Sequence, residues 1–187
     1  MVKKEIRVIG IDDSPFEKFS KKRTLIIGTF FRGGSWLDGI LSTKVTIDGN
    51  NATSKLISMI NESKFKPQLQ CIFLDGIAFG GFNIVDIEEL NKRTGIPVIV
   101  VIRRKPDIQN IKRVLVKINK KKKTKLIDKA GIPVKIGKIY VQFKGLELDV
   151  VKEILRIACT RSLIPEPIRV SHLIAQGIYF GESKGKA

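Results

Sequence analysis

The strongest constraint on this chain is a set of short apolar runs, each closed by an aspartate or a turn. Arg7-Val8-Ile9-Gly10-Ile11 runs into Asp12-Asp13-Ser14-Pro15, and Cys71-Ile72-Phe73-Leu74 runs into Asp75. Pro97-Val98-Ile99-Val100-Val101-Ile102 is a third such run. Apolar runs of this length, bounded by turn signals, read as buried strands. Thr24 to Phe31 and Trp36 to Ile47 are also β-rich, and Arg32-Gly33-Gly34-Ser35 between them reads as a hairpin turn. Amphipathic stretches alternate with these runs. A helix is predicted from about Ala52 to Ser63, with Leu56, Ile57 and Ile60 on one face. A second is predicted near Asn83–Arg93, closed by Gly95 as a C-terminal cap. A third starts at Asp107 and carries Ile108, Ile111, Leu115 and Ile118 at helical spacing. Ile132 to Phe143 reads as a further strand or a short sheet insertion. Leu148 to Ala158 and Ile168 to Ile178 read as the last helices. Strands first, then strands alternating with helices, imply an α/β fold whose sheet is mixed and flanked by helices. There is no internal repeat and no linker, so residues 1–187 are expected to form one domain.

Composition adds what the pattern leaves open. With 43% apolar and 28% charged residues the chain is an ordinary globular sequence. No apolar run approaches the roughly 20 residues of a bilayer crossing. Met1-Val2-Lys3-Lys4-Glu5 lacks the apolar core of a signal peptide. Cys71 and Cys159 have no zinc-ligand spacing and are expected to be buried thiols of a cytoplasmic protein.

The net charge is +17, which points to a polyanionic partner, DNA or RNA, rather than a membrane. It is unevenly spread. Residues 103–125 hold eleven Lys or Arg against the single acid Asp107. Arg103, Arg104, Lys105, Lys120, Lys121, Lys122, Lys123 and Lys125 are therefore candidate phosphate contacts. The same lysine run also reads as a solvated loop, and the two readings are compatible.

Asp12, Asp48 and Asp75 each close a predicted strand. Open α/β sheets bind ligands at the carboxyl ends of their strands, where side chains distant in sequence converge. Hard oxygen donors of this kind suit Mg2+ or Mn2+. Each aspartate alone is equally a turn residue, as Asp-Ser-Pro and Asp-Gly are turn signals. His172 is the only histidine, either a structural residue or the one group able to exchange protons near neutrality. Arg169 and Gln176 should share its helix face. The loop Gly76, Phe79, Gly80, Gly81 and Phe82 offers a possible base pocket, with glycines for close approach and phenylalanines either stacking or buried in the core.

These residues, in this order, carry a resemblance. Phe73-Leu74-Asp75-Gly76, then Thr94-Gly95-Ile96-Pro97, then Pro165-Glu166-Pro167-Ile168-Arg169-Val170-Ser171-His172 resemble the motifs of endonuclease V. The opening Gly10-Ile11-Asp12-Asp13-Ser14-Pro15-Phe16 and the ending Gly181-Glu182-Ser183-Lys184-Gly185-Lys186-Ala187 resemble an archaeal endonuclease V-related family, domain of unknown function 99. The resemblance covers essentially the whole chain. It implies a ribonuclease H-like fold, a divalent metal and phosphodiester cleavage. Asp12 and Asp75 would be metal ligands and His172 the late-helix acid-or-histidine. Asp48 stands where endonuclease V carries a glutamate, and Arg103 stands near that family's active-site lysine. The Pro-Tyr-Ile-Pro wedge of endonuclease V has no counterpart here. Between Phe30 and Leu41 the chain has Gly33-Gly34-Ser35-Trp36 instead, so specificity for deaminated bases does not carry over.

The sequence thus points to a metal-dependent nuclease built on Asp12, Asp48, Asp75 and His172. A catalytically silent nucleic-acid binder of the same fold is the alternative. A small-ligand or protein-interaction module is a third.

Overall fold

The computed structural model describes residues 1–17 and 22–184. Gly185, Lys186 and Ala187 of the family-like ending lie outside them. The elements are β1 (Arg7–Asp13), β2 (Arg23–Arg32), β3 (Trp36–Thr46), α1 (Ala52–Asn61), β4 (Cys71–Asp75), β5 (Ala78–Phe79), β6 (Asn83–Ile84), α2 (Ile87–Thr94) and β7 (Val98–Ile102). There follow α3 (Ile108–Lys117), α4 (Thr124–Ala130), β8 (Val134–Ile136), β9 (Ile139–Lys144), α5 (Leu148–Ala158) and α6 (Glu166–Phe180). Seven strands form one sheet in the order β3-β2-β1-β4-β7-β9-β8. β1, β4 and β7 run parallel at its centre, and every other pairing is antiparallel. The sheet is mixed, as the alternation of elements requires.

Each sheet face carries its own core. Ile9, Ile11, Ile72, Leu74, Val98 and Val100 pack against Leu56, Ile57 and Ile60 of α1 and Ile87 and Leu90 of α2. Their sequence neighbours Val8, Cys71, Phe73, Ile99 and Val101 pack on the other face against Val151, Ile154 and Leu155 of α5 and Ile168 of α6. Burial on both faces is why the central strands read as continuous apolar runs rather than alternating ones. Helix α6 lies very close to β1. A Cβ on Gly10 would stand 2.3 Å from the Pro167 carbonyl carbon, so only glycine fits there. The Thr29 hydroxyl donates to Pro167 O at 2.6 Å and the Ser171 hydroxyl to Gly10 O at 2.6 Å, which fixes the helix on the sheet.

Several boundaries differ from the sequence reading. The helix expected near Asn83 begins at Ile87, because the Asp86 side chain accepts the Glu88 and Glu89 amides as its N-cap. Asn83 and Ile84 instead pair with Phe79 and Ala78 as a small ribbon. Gly95 closes the helix in the left-handed region, φ 71°, as expected. The lysine run is not a loop. It forms a 3-10 turn over Lys121–Lys123 that leads directly into α4. Ile132 to Phe143 resolves into the hairpin of β8 and β9. Cys71 is fully buried and Cys159 half-buried, and burial pushes both thiols up, which leaves them unreactive. Among the described residues no helix is long and apolar enough to cross a membrane.

Candidate metal centre

Strand parity builds the centre. β1 and β4 are parallel with Gly10 opposite Phe73, so Asp12 and Asp75 stand level and on the same face. That face is the one covered by α6. One turn beyond its docking point, α6 delivers His172, whose Nδ1 lies 2.7 Å from Asp12 Oδ2. One ligand atom from each of Asp12, Asp75 and His172 lies within 4.8 Å of the other two. β7 continues the parity, since Asp75 sits opposite Val101. Arg103 is two residues on, and its guanidinium donates to Asp75 Oδ2 at 2.8 Å.

The carboxylates are held rather than free. Asp12 is 5% exposed, and its Oδ1 accepts the Asp13 amide at 2.8 Å. Gln176 Oε1 accepts the Lys184 amide at 2.6 Å, which turns its NH2 group to His172 Nε2 at 2.8 Å. In the neutral ring the proton therefore sits on Nδ1 and is donated to Asp12. Hydrogen bonding to Asp12 raises the His172 pKa, against burial and the Arg103 charge. Burial, then the Asp12 charge, raises the Asp75 pKa, and Arg103 opposes both. Asp13, on the opposite face with Ile9 and Ile11, is pushed up to about 7 by burial and by Asp12, although the Gly80 amide donates to its Oδ2 at 2.5 Å.

This donor set fits a divalent cation. Two hard carboxylates face each other from adjacent strands, with a histidine beside them and one arginine as the nearby positive charge. The Asp12 charge disfavours ionisation of Asp75, an arrangement that a 2+ ion relieves.

Other expected site residues lie elsewhere. Asp48 does not join the centre. The chain turns through φ 56° at this residue, and the carboxylate accepts the Phe82 amide at 2.8 Å. A Cβ on Gly81 would lie 2.6 Å from Asp48 Oδ1, so the glycine there serves this packing rather than a base. Phe79 is fully buried in the core, and Phe82 packs on the cluster of Ile84, Leu115 and Ile127, so neither ring is a stacking platform. Gly80 ties this ribbon to Asp13 and, through its carbonyl, to the Asp48 amide at 2.7 Å. Gly76 alone of the expected pocket has open space around it.

Lys123 also corrects the sequence reading. It is 8% exposed, and its ammonium donates to the carbonyls of Phe82, Asp48 and Gly49. Burial and neighbouring Lys120 push its pKa down to about 8. Lys120 donates to Asp48 O at 2.6 Å. Arg104, Lys105, Lys121, Lys122 and Lys125 are exposed. Arg169 does not reach His172, because it forms a two-pronged pair with buried Glu166. The residues that sequence reasoning left out of the site are Asp13 and Gln176. Asp-Asp at the strand end and the four-residue spacing from His172 were their only signals.

Three leading antiparallel strands, a parallel strand beside β1, and carboxylates at the ends of β1 and β4 with a late helix across them have the architecture of a ribonuclease H-like fold. The chain belongs to the family described as endonuclease dU, whose model matches residues 4–179. It is 49% identical over 191 residues to the UPF0215 protein of Methanothermobacter thermautotrophicus, covering 100% of this chain and 94% of that one. The crystal structure of a protein of unknown function from Archaeoglobus fulgidus is 41% identical, with a TM-score of 0.85 over 92% of this chain and 97% of that one. Ciona intestinalis endonuclease V, in complex with a 24-mer DNA containing an inosine, superposes with a TM-score of 0.55 at 19% identity, covering 88% and 82%. At that identity the likeness concerns the fold.

Proposed function

We propose that the protein is a divalent-metal-dependent phosphodiesterase that cuts nucleic-acid strands. The observation that carries this reading is the convergence of Asp12, Asp75 and His172 within 4.8 Å in a chain of net charge +17. Asp12 and Asp75 would hold Mg2+ or Mn2+, with His172 beside them. The ion, when bound, supplies Lewis-acid charge to a phosphodiester displacement. The chain's own groups do the positioning. Asp12 is oriented from two sides, by the Asp13 amide and by the Nδ1 proton of His172. Gln176 keeps that proton on Nδ1 by donating to Nε2. Arg103 neutralises Asp75 and presents a planar donor fork able to pair with a phosphate. It stays charged, so its role is to bind rather than to move a proton. The exposed Arg104, Lys105, Lys121, Lys122 and Lys125 supply sequence-independent attraction to the backbone.

A catalytically silent binder is the second reading. Asp48 favours it, because its absence from the centre leaves two carboxylates instead of three. Nicking assays with Mg2+ and Mn2+ on structured RNA, single-stranded DNA and strands containing inosine or deoxyuridine decide between them. Deoxyuridine belongs in that panel because of the family's description. Ion-dependent cleavage that Asp75→Asn abolishes supports the enzyme. Tight binding with no cleavage of any strand supports the silent protein.

A further inference from the structure

A groove between the start of β2 and the C-terminal end of α6 takes no part in the metal centre. It is a cavity of about 450 Å3. Its walls are tied together across three elements. The Ser14 amide donates to Leu25 O at 2.8 Å, the Ser14 hydroxyl to Ala175 O at 2.9 Å and the Thr24 hydroxyl to Ser14 O at 3.0 Å. One wall carries Tyr179, 47% exposed, which meets Phe180 edge-on with ring centroids 4.8 Å apart. On the sheet side Leu25 sits opposite Lys44, and both share a face with Arg23 two residues before Leu25. Arg23 and Lys44 are exposed and line the groove. Among the described residues Glu17 is the one acid on the rim, against Lys22, Arg23 and Lys44.

The groove is also placed beside the chemistry. Ser14 is two residues beyond Asp12. Tyr179 is seven residues beyond His172 on the same helix, about 10 Å along its axis at roughly 1.5 Å per residue. An exposed aromatic ring flanked by cations is the chemistry that holds single-stranded nucleic acid, with the ring stacking a base and the cations taking the backbone.

We propose that this groove is a nucleotide subsite: an unpaired base adjacent to the cleaved phosphodiester stacks on Tyr179, while Arg23 and Lys44 hold the flanking phosphates. The inference rests on the nuclease reading, because it assumes that a strand crosses the Asp12–Asp75 centre.

The test measures binding without cleavage, using the full chain carrying Asp75→Asn, in chelator, with fluorescein-labelled oligo-dT and oligo-U. Tyr179→Ala should weaken binding by about tenfold to a hundredfold, and Tyr179→Phe should restore it. Arg23→Gln with Lys44→Gln should flatten the plot of log affinity against log salt by about 1.4 for single strands. Tyr179→Trp in a Trp36→Phe background, which leaves one tryptophan, should be quenched on binding. The subsite is overturned if the strand binds but Tyr179→Ala, matched in melting temperature, binds as tightly and the tryptophan is not quenched. A changed salt slope with Tyr179→Ala neutral also overturns it, since the groove would then hold phosphate only. If no strand binds under any condition, the nuclease reading itself fails.

Discussion

Asp12 and Asp48 both come from strand ends in one sheet, and they have opposite fates. Asp12 meets a second carboxylate across a parallel pair and faces a histidine, so negative charge is concentrated. Asp48 meets a backbone amide, Lys120 and the Lys123 turn, so its charge is neutralised within the fold. The difference is geometric. β1 and β4 are in register, which aligns residues of equal parity, whereas the chain at Asp48 has left β3 and turned through positive φ. Register sets a second carboxylate beside Asp12, and the turn carries Asp48 away from that pair.

The largest expected effect follows from that contrast. Asp75→Asn keeps the side chain's shape and removes a charge the cation requires, so metal-dependent cleavage should fall by orders of magnitude. Binding of the strand should hold or tighten, because a negative charge near the phosphates is gone. Asp48→Asn should leave cleavage within a few-fold of wild type, since its amide oxygen still accepts from Phe82. Equal losses from both variants, measured in one nicking assay on proteins of matched melting temperature, would break the comparison.

Next in size is Lys123→Met. The methionine keeps the apolar stem but strips a donor from the carbonyls of Gly49 and Phe82. Each buried carbonyl left unsatisfied costs about 1–3 kcal/mol, so denaturant titration should show a loss of about 2–3 kcal/mol overall. A neutral result would mean that water replaces the ammonium.

A smaller effect, with a pH signature, belongs to Asp13. In the metal-free fold this group keeps its proton up to about 7, whereas the unfolded chain releases it near 3.8. Folding then takes up a proton between those values, and the native state loses stability as pH rises through that window. Asp13→Asn retains an acceptor for the Gly80 amide and removes the titration. In chelator it should gain about 1–2 kcal/mol at pH 8, after allowance for its partial exposure, and almost nothing at pH 4. A gain of the same size at both values would mean that the carboxylate is ionised throughout.

What was legible in the sequence divides along the same line. The apolar runs announced β1, β4 and β7, and their terminal acids announced Asp12 and Asp75, because strand parity is written in the chain with period two. The helix stripes of α3 and α5 were legible for the same kind of reason. Asp48 carried two readings, strand-end ligand and Asp-Gly turn residue, and the turn through φ 56° is the one the fold uses. Phe79 read equally as a stacking ring or a core residue, because a glycine-rich loop and a nearby apolar strand pull in opposite directions, and the two-residue ribbon folds it under the sheet. Lys123 was invisible in a run of identical residues. Only the 3-10 turn decides which lysine points inward.

That last point yields the smallest effect and the most direct test of the division within the run. Lys121 and Lys122 immediately precede Lys123 in sequence but are exposed, and among the described residues neither ammonium has a hydrogen bond or ion pair to lose. Changing both to Gln should leave stability within about 0.5 kcal/mol, as for surface substitutions generally. If they contact phosphates, each removes about 0.7 from the salt slope for a single strand or about 0.9 for a duplex. The double variant should therefore bind with a slope shallower by about 1.4 or 1.8, while its melting temperature matches wild type. Lys123→Met should do the reverse, losing stability with little change in slope beyond what partial unfolding explains. If the slope instead follows Lys123 and ignores Lys121 and Lys122, the buried ammonium is reaching the nucleic acid and the turn must open to bind it.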